Sequence, residues 1–205
     1  MPSKKPAFLK TLMSCSLVTL LSSPLLVSAA PEPEATSGWS WSGHVANLNV
    51  DSKAAQEQHV EDSAFVFGFA AERYSNTNMF TFTVGVDFIA YDDQRSFSQN
   101  TTGGVKDSDA SAILAYVEYG PRFVFGSDKA NYVTAHAGFS GIFASSRGIG
   151  YCTNCNSEDI NLDGGAYGSL GIGHSFTSFD IGLQFQQYFT GDLDNSLRLR
   201  FSSKF

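Results

Sequence analysis

Charge is scarce in this 205-residue chain, at 16% of residues, and basic charge is scarcer: 13 Lys and Arg stand against 20 Asp and Glu, for a formal net charge of -7. Nucleic acid is thereby excluded as a partner, since its binders present basic faces. Cysteine is limited to three residues and proline to six. Beyond the first 30 residues no stretch keeps apolar residues at helical spacing for three turns, and no apolar run is long enough to span a bilayer as a helix. Aromatic residues, in contrast, are plentiful. With 18 Phe, 8 Tyr and 2 Trp in a chain that is 42% hydrophobic, disorder is excluded. The length bounds the fold to one domain, or at most two small ones.

The N-terminal segment reads apart from the fold. Lys4, Lys5 and Lys10 precede an apolar run from Thr11 to Val27 that ends in small residues, the layout of a secretory signal peptide, with cleavage expected after Ala29. Ser22, Ser23 and Pro24 interrupt the run and argue against a membrane helix. Cys15 lies before most of the apolar run, so it is badly placed for lipidation. Residues 1–29 carry three lysines and no acid, so the mature chain falls from -7 to -10. Residues 30–38, with two Pro and two Glu, read as an exposed leader, and residues 39–205 as the folded domain.

In that domain apolar and polar residues alternate at period two, the mark of strands with one face buried in an apolar medium. Phe80, Phe82, Val84, Val86 and Phe88 share one face while Thr81, Thr83, Gly85 and Asp87 take the other. Phe65, Phe67, Phe69 and Ala71 are set likewise against Val66, Gly68, Ala70 and Glu72. Six further segments repeat the pattern, near residues 39–50, 111–125, 132–145, 164–176, 179–189 and 196–205. Eight strands result. Their connections alternate between long (51–62, 92–110, 146–163), short (75–78, 126–131, 177–178) and intermediate (190–195).

Long loops at one end and short turns at the other characterise transmembrane barrels, and each segment reaches the ~9–11 residues needed to cross at a tilt. A strand in lipid must have its backbone groups paired on both sides, so such strands close into a barrel. A soluble barrel of the lipocalin kind is the rival. It would turn its apolar face inward, whereas here the narrow-side-chain face carries Gly, Ser, Thr and a few charges, and Phe dominates the other. Trp39, Trp41, Phe80, Phe88, Phe179, Phe189 and Phe205 fall near strand ends, as an interfacial girdle would. The fold expected is all-β: an eight-stranded antiparallel transmembrane β-barrel of up-and-down meander topology.

The closing segment Leu197-Arg-Leu-Arg-Phe-Ser-Ser-Lys-Phe205 ends in an aromatic preceded by apolar residues at alternate positions, with Ser203 departing from the pattern. In this the chain resembles the small eight-stranded outer-membrane β-barrels of Gram-negative bacteria, the group containing the OmpA transmembrane domain, OmpX and the opacity-type proteins. The resemblance implies that Leu197, Leu199, Phe201 and Phe205 form a signal read by the barrel assembly machinery. It also implies residence in the cell outer membrane, in contact with lipid and lipopolysaccharide.

The expected inward face carries Glu72, Asp87, Glu118 and Asp180 against Arg122, Arg198, Arg200 and Lys204. An eight-stranded barrel is filled by side chains, and buried charge persists only when paired. A salt-bridged plug is therefore expected, joined by Gln184, Gln186, His44 and His136; a narrow channel for small ions or solutes through the same residues is the alternative. Catalysis is not expected. The adjacent His174 and Ser175 point to opposite faces of a strand, and the His-x-Ser pattern of lipid A deacylases is missing. No cofactor or resident metal is expected either.

The four connections at the long-loop end sum to about nine of the ten net negative charges of the mature chain. Such a rim repels anionic polymers and attracts cations; it serves solubility, or a surface partner. Cys152-Thr-Asn-Cys155 lies in the third long loop with no second pair, so in an oxidising compartment a loop disulfide is expected over a zinc or redox site. Asp159-Ile-Asn161-Leu-Asp163-Gly164 matches the first half of a calcium loop, but Leu170 stands where the bidentate Glu belongs. The function expected is a structural or surface-interaction role.

Overall fold

The computed structural model describes residues 38–75, 79–94, 96–98, 105–127, 129–149 and 157–203. Residues 1–37 and 204–205, and with them the leader, Lys204 and Phe205, lie outside the described residues, as do Cys152 and Cys155. Eight strands form the wall: β1 (Trp39–Val50), β2 (Val60–Ser75), β3 (Phe80–Asp93), β6 (Asp109–Phe125), β7 (Asn131–Gly148), β9 (Ala166–Ser175), β10 (Phe179–Tyr188) and β11 (Leu193–Ser203). Short strands β4 (Ser96–Ser98) and β5 (Val105–Asp107) pair in the second long connection, and β8 (Ser157–Asp159) extends β7 in the third.

Every wall strand pairs antiparallel with its neighbours in sequence, and β1 pairs with β11 from Trp41 opposite Ser203 to Val50 opposite Leu193. The β6–β7 ladder completes the ring. The sheet thus has no free edge around the barrel, as a wall surrounded by lipid requires. Both ends of the wall lie with the short turns; the long connections gather at the other end.

Two sequence expectations need correction. No helix was expected after the leader, yet α1 (Ser52–Gln58) follows β1 directly. Asp51 caps it, its carboxylate accepting from the amides of Lys53 at 2.9 Å and Ala54 at 3.2 Å, and His59 ends it in the left-handed conformation. Two turns that bury only Ala55 are too short to show a helical period.

The second correction concerns the faces. Near the turns and through most of the wall, apolar residues point outward: Phe65, Phe67 and Phe69, Phe80 to Phe88 at alternate positions, Leu183 and Phe185, Leu197, Leu199 and Phe201 are all exposed on the barrel's outer surface. Toward the long-loop end the polarity inverts. Asn47, Ser63, Asp92, Ser111 and Ser146 then face outward, while Leu48, Val50, Ala64, Val66, Ile89 and Leu114 are buried inside. Ala55 of α1 and Ile160 and Leu162 of the third connection pack into the same interior cluster. The inner face was expected to be rich in Gly, Ser, Thr and a few charges, with Val66 and Ala70 among them, but its upper third has the ordinary apolar core of a water-soluble barrel. That arrangement fits wall standing in water on its outer side.

On β3 the outward apolar positions run from Phe80 to Phe88, about 26 Å of strand at ~3.3 Å per residue. Tilted by the ~35–45° usual for such barrels, that segment is roughly 20 Å tall, close to the ~25 Å apolar band of outer-membrane barrels.

Candidate functional site

Below the apolar plug the interior is charged, and its geometry follows from strand alternation. Asp87 of β3 stands between two partners, His44 Nε2 and an Arg198 amino group, each at 2.7 Å. Arg198 also lies over the Tyr116 ring at 4.6 Å. Glycines make room for this cluster. A Cβ on Gly68 would overlap the Asp87 carboxylate and lie 2.5 Å from His44 Nε2, and one on Gly85 would lie 2.5 Å from the Tyr116 hydroxyl.

Glu118 is wholly buried. Its carboxylate accepts from the Tyr167 hydroxyl at 3.3 Å and the Gln184 amide at 3.2 Å, with His136 Nδ1 at 3.6 Å and Arg200 at 3.8 Å. Arg200 pairs with Glu72, which also accepts from Ser202 at 3.3 Å and Thr83 at 3.4 Å. His136 is held from its other side by Thr81 at 2.8 Å. Nearer the turns, Arg122 donates to Asp180 at 2.9 Å and to the Ser175 hydroxyl at 3.0 Å while lying 3.8 Å above the Tyr132 ring.

The structure therefore brings Asp87 and Arg198 together at His44 and Glu72, Glu118 and Arg200 together near His136, and sets Arg122 and Asp180 as a separate pair at the turn end. A void of about 20 Å³ separates the last two, lined by Glu72, Thr81, Arg122, His136 and Arg200 among others. It has room for roughly one water.

His174 and Ser175 are kept apart: the imidazole bonds Asn131 at 3.0 Å and packs against Phe176, while the Ser175 hydroxyl faces Arg122. Along the third connection Asp159, Asn161 and Asp163 are exposed and alternate with buried Ile160 and Leu162. Among the described residues, no three His, Cys, Asp or Glu side chains converge as metal ligands.

Sequence reasoning missed a buried ion pair, Arg147 with Asp93, both placed in loops. Arg147 was assigned to a loop, yet it is 2% exposed and pairs with the buried Asp93 at 2.7 Å. The signal that hides it is a bulge: Ile113 pairs with Ala144 but Leu114 with Ile142, so Phe143 is an extra residue in β7. One extra residue reverses which face each later side chain takes.

No protein-family model and no curated protein matches the chain. Among solved structures it is similar to Ail, the attachment invasion locus protein of Yersinia pestis. One structure of it is 13% identical and one in complex with the heparin analogue sucrose octasulfate is 12% identical, each with a TM-score of 0.50 over 83% of this chain and all of that one. It is also similar to Neisserial surface protein A, 16% identical with a TM-score of 0.43 over 84% of this chain and all of that one. The fold is thus that of the small eight-stranded outer-membrane β-barrels.

Proposed function

We propose that this protein resides in the outer membrane of a Gram-negative cell as a closed barrel that displays an acidic loop surface, in a structural or surface-interaction role. The observation that carries the reading is the inversion of polarity along the wall. An outward apolar band of bilayer height at the turn end suits lipid, and an inward apolar core at the loop end suits wall projecting into water. In this reading residues 1–29 direct export, residues 30–38 form an exposed leader, and Leu197, Leu199, Phe201 and Phe205 are read by the assembly machinery. The turns face the periplasm and the long connections face outside.

The filled interior opposes the channel alternative. Ion pairs occupy the lower part and aliphatic side chains the upper, and neither offers a continuous polar path. The geometry around His174 and Ser175 likewise gives no support to an enzyme.

Ail is seen with a heparin analogue, sucrose octasulfate, and that ligand is not carried over, because this chain's loops are themselves acidic. Asp51, Glu57, Glu61, Asp62, Asp109, Asp159, Asp163 and Asp194 are all exposed at the loop end, and Lys53 there is engaged with Glu57 at 3.7 Å. Such a rim favours a cationic partner. Fractionation of expressing cells tests the location: the protein should follow the outer membrane and change its gel mobility on boiling. Recovery from the soluble periplasm would overturn the reading. Retention of refolded barrel on polylysine but not on heparin, weakening with salt, tests the partner's charge; the reverse selectivity would overturn that part alone.

A further inference from the structure

Arg147 is the one strongly buried cation above the apolar plug in the described structure, and its contacts reach three separate connections. One amino group pairs with Asp93 at the end of β3, whose carboxylate also accepts from the Ser108 hydroxyl just before β6. The other donates to the main-chain carbonyl of Gln58, the last residue of α1. Its Nε lies 3.9 Å from Glu158 of β8. A buried guanidinium with five fixed donors is suited to joining several acceptors at once. The bulge at Phe143 is what turns Arg147 inward, since unbroken alternation from Phe139 would turn it out.

Hydrogen bonds from main-chain amides link the same connections to one another and to the fourth. The Asn161 amide donates to Gln58 Oε1 at 3.0 Å and the Gln94 amide to the His59 carbonyl at 3.1 Å. The Asp51 amide donates to the Asp192 carbonyl at 2.7 Å and the Asp192 amide to the Asp163 carbonyl at 3.0 Å, while Asp192 accepts from the Asp163 amide at 2.8 Å.

We infer that Arg147 is a latch joining the described parts of the first three connections, with the 190–195 connection attached through Asp51 and Asp163, over the barrel's apolar upper interior, so that these parts form a single preformed surface. This goes beyond the proposed function and does not depend on what the loops bind. Preformed loops lose less conformational freedom when a partner arrives. They also keep Ile160 and Leu162 inside and water out of the interior.

The test uses the refolded full-length chain in detergent, with amide hydrogen exchange followed residue by residue. Arg147→Met leaves the Asp93 carboxylate and the Gln58 carbonyl buried without their cation. Exchange at Asp51, Asn161, Asp163 and Asp192 should rise at least ten-fold, while Val84 and Val86 in mid-wall stay at their original rates. A double variant, Asp93→Leu with Arg147→Met, removes both charges and should recover much of the loop protection. A heat-resistant Arg147→Met barrel with unchanged loop exchange would overturn the latch. So would exchange rising equally in the loops and at Val84 and Val86. Should neither variant yield a heat-resistant barrel, Arg147 belongs to the stability of the wall itself and the inference fails.

Discussion

Asp87 shows how a single residue is specified by its surroundings. Its two partners, His44 and Arg198, come from strands 43 and 111 residues away, and the missing side chain at Gly68 is what lets three polar groups meet. Replacing Asp87 with Asn should cost about 3–5 kcal/mol of unfolding free energy, because Arg198 is left buried without an anion. Adding Arg198→Met should restore part of that loss, whereas breaking the exposed Lys53–Glu57 pair should cost only ~0.3–0.5 kcal/mol. Urea titration of the refolded barrel in detergent reads all three; equal costs for the buried and the exposed pair would contradict the ion-paired interior. At the chain's end, deletion of Phe205 should lower the amount of assembled protein in cells far more than Lys204→Ala, measured as the heat-modifiable fraction. Equal assembly would remove the terminal-signal argument.

At this scale the inward side of Glu72, Asp87 and Glu118 was legible from alternation alone. Which cation meets which anion was not, because pairing depends on strand order and register around the ring. Arg147 was illegible for a different reason: nothing in the letters around Phe143 announces a bulge, and the face of every later residue in β7 depends on it.

Among the elements, the wall strands were readable because lipid and a filled interior impose opposite demands on alternate residues. The structure extends several of them into the expected loops, with β2 starting at Val60 and β7 running to Gly148. There the alternation persists with its sense reversed, which a search for outward apolar residues passes over. Helix α1 was signalled only by its cap, Asp51, and by a short run of good helix formers. The reversal along β3 gives a direct prediction. Val86→Arg, in mid-band, should destabilise the barrel in lipid by ~2–4 kcal/mol, whereas Asp92→Arg, on the same face of the same strand, should change stability by only about 0–1 kcal/mol. Unfolding in bilayers of defined composition measures both, and a large penalty at Asp92 would place that rung in lipid, contrary to the reading here.

Cys152 and Cys155 lie outside the described residues, and the disulfide expected from the sequence is a separate proposal. Its ring is small, so a disulfide there stabilises by no more than the low side of the usual ~2–4 kcal/mol. Replacing both residues with Ser should leave heat resistance nearly unchanged and raise protease sensitivity within residues 146–163. Alkylatable thiols in unreduced protein, or a stoichiometric bound metal, would assign the pair another role.

Among the described residues, three stacked zones follow from one closed sheet: a paired Arg122–Asp180 mouth, a charged middle built on ion pairs, and an apolar plug that includes Ala55 of α1 and Ile160 and Leu162 of the third connection. On the proposed reading the zones share a consequence, which is that no ion passes through. Closure by the first and last strands and the eight-strand count were within reach of the sequence. The plug was not, because it needs α1 and the third connection folded back over the barrel.

The most direct test of that consequence is electrical. Refolded protein inserted into planar lipid bilayers, with insertion verified by its heat-modifiable mobility, should produce no stepwise conductance above the leak of the bare membrane. Discrete, reproducible conductance steps that scale with salt concentration would show an open path through the barrel and contradict a closed interior.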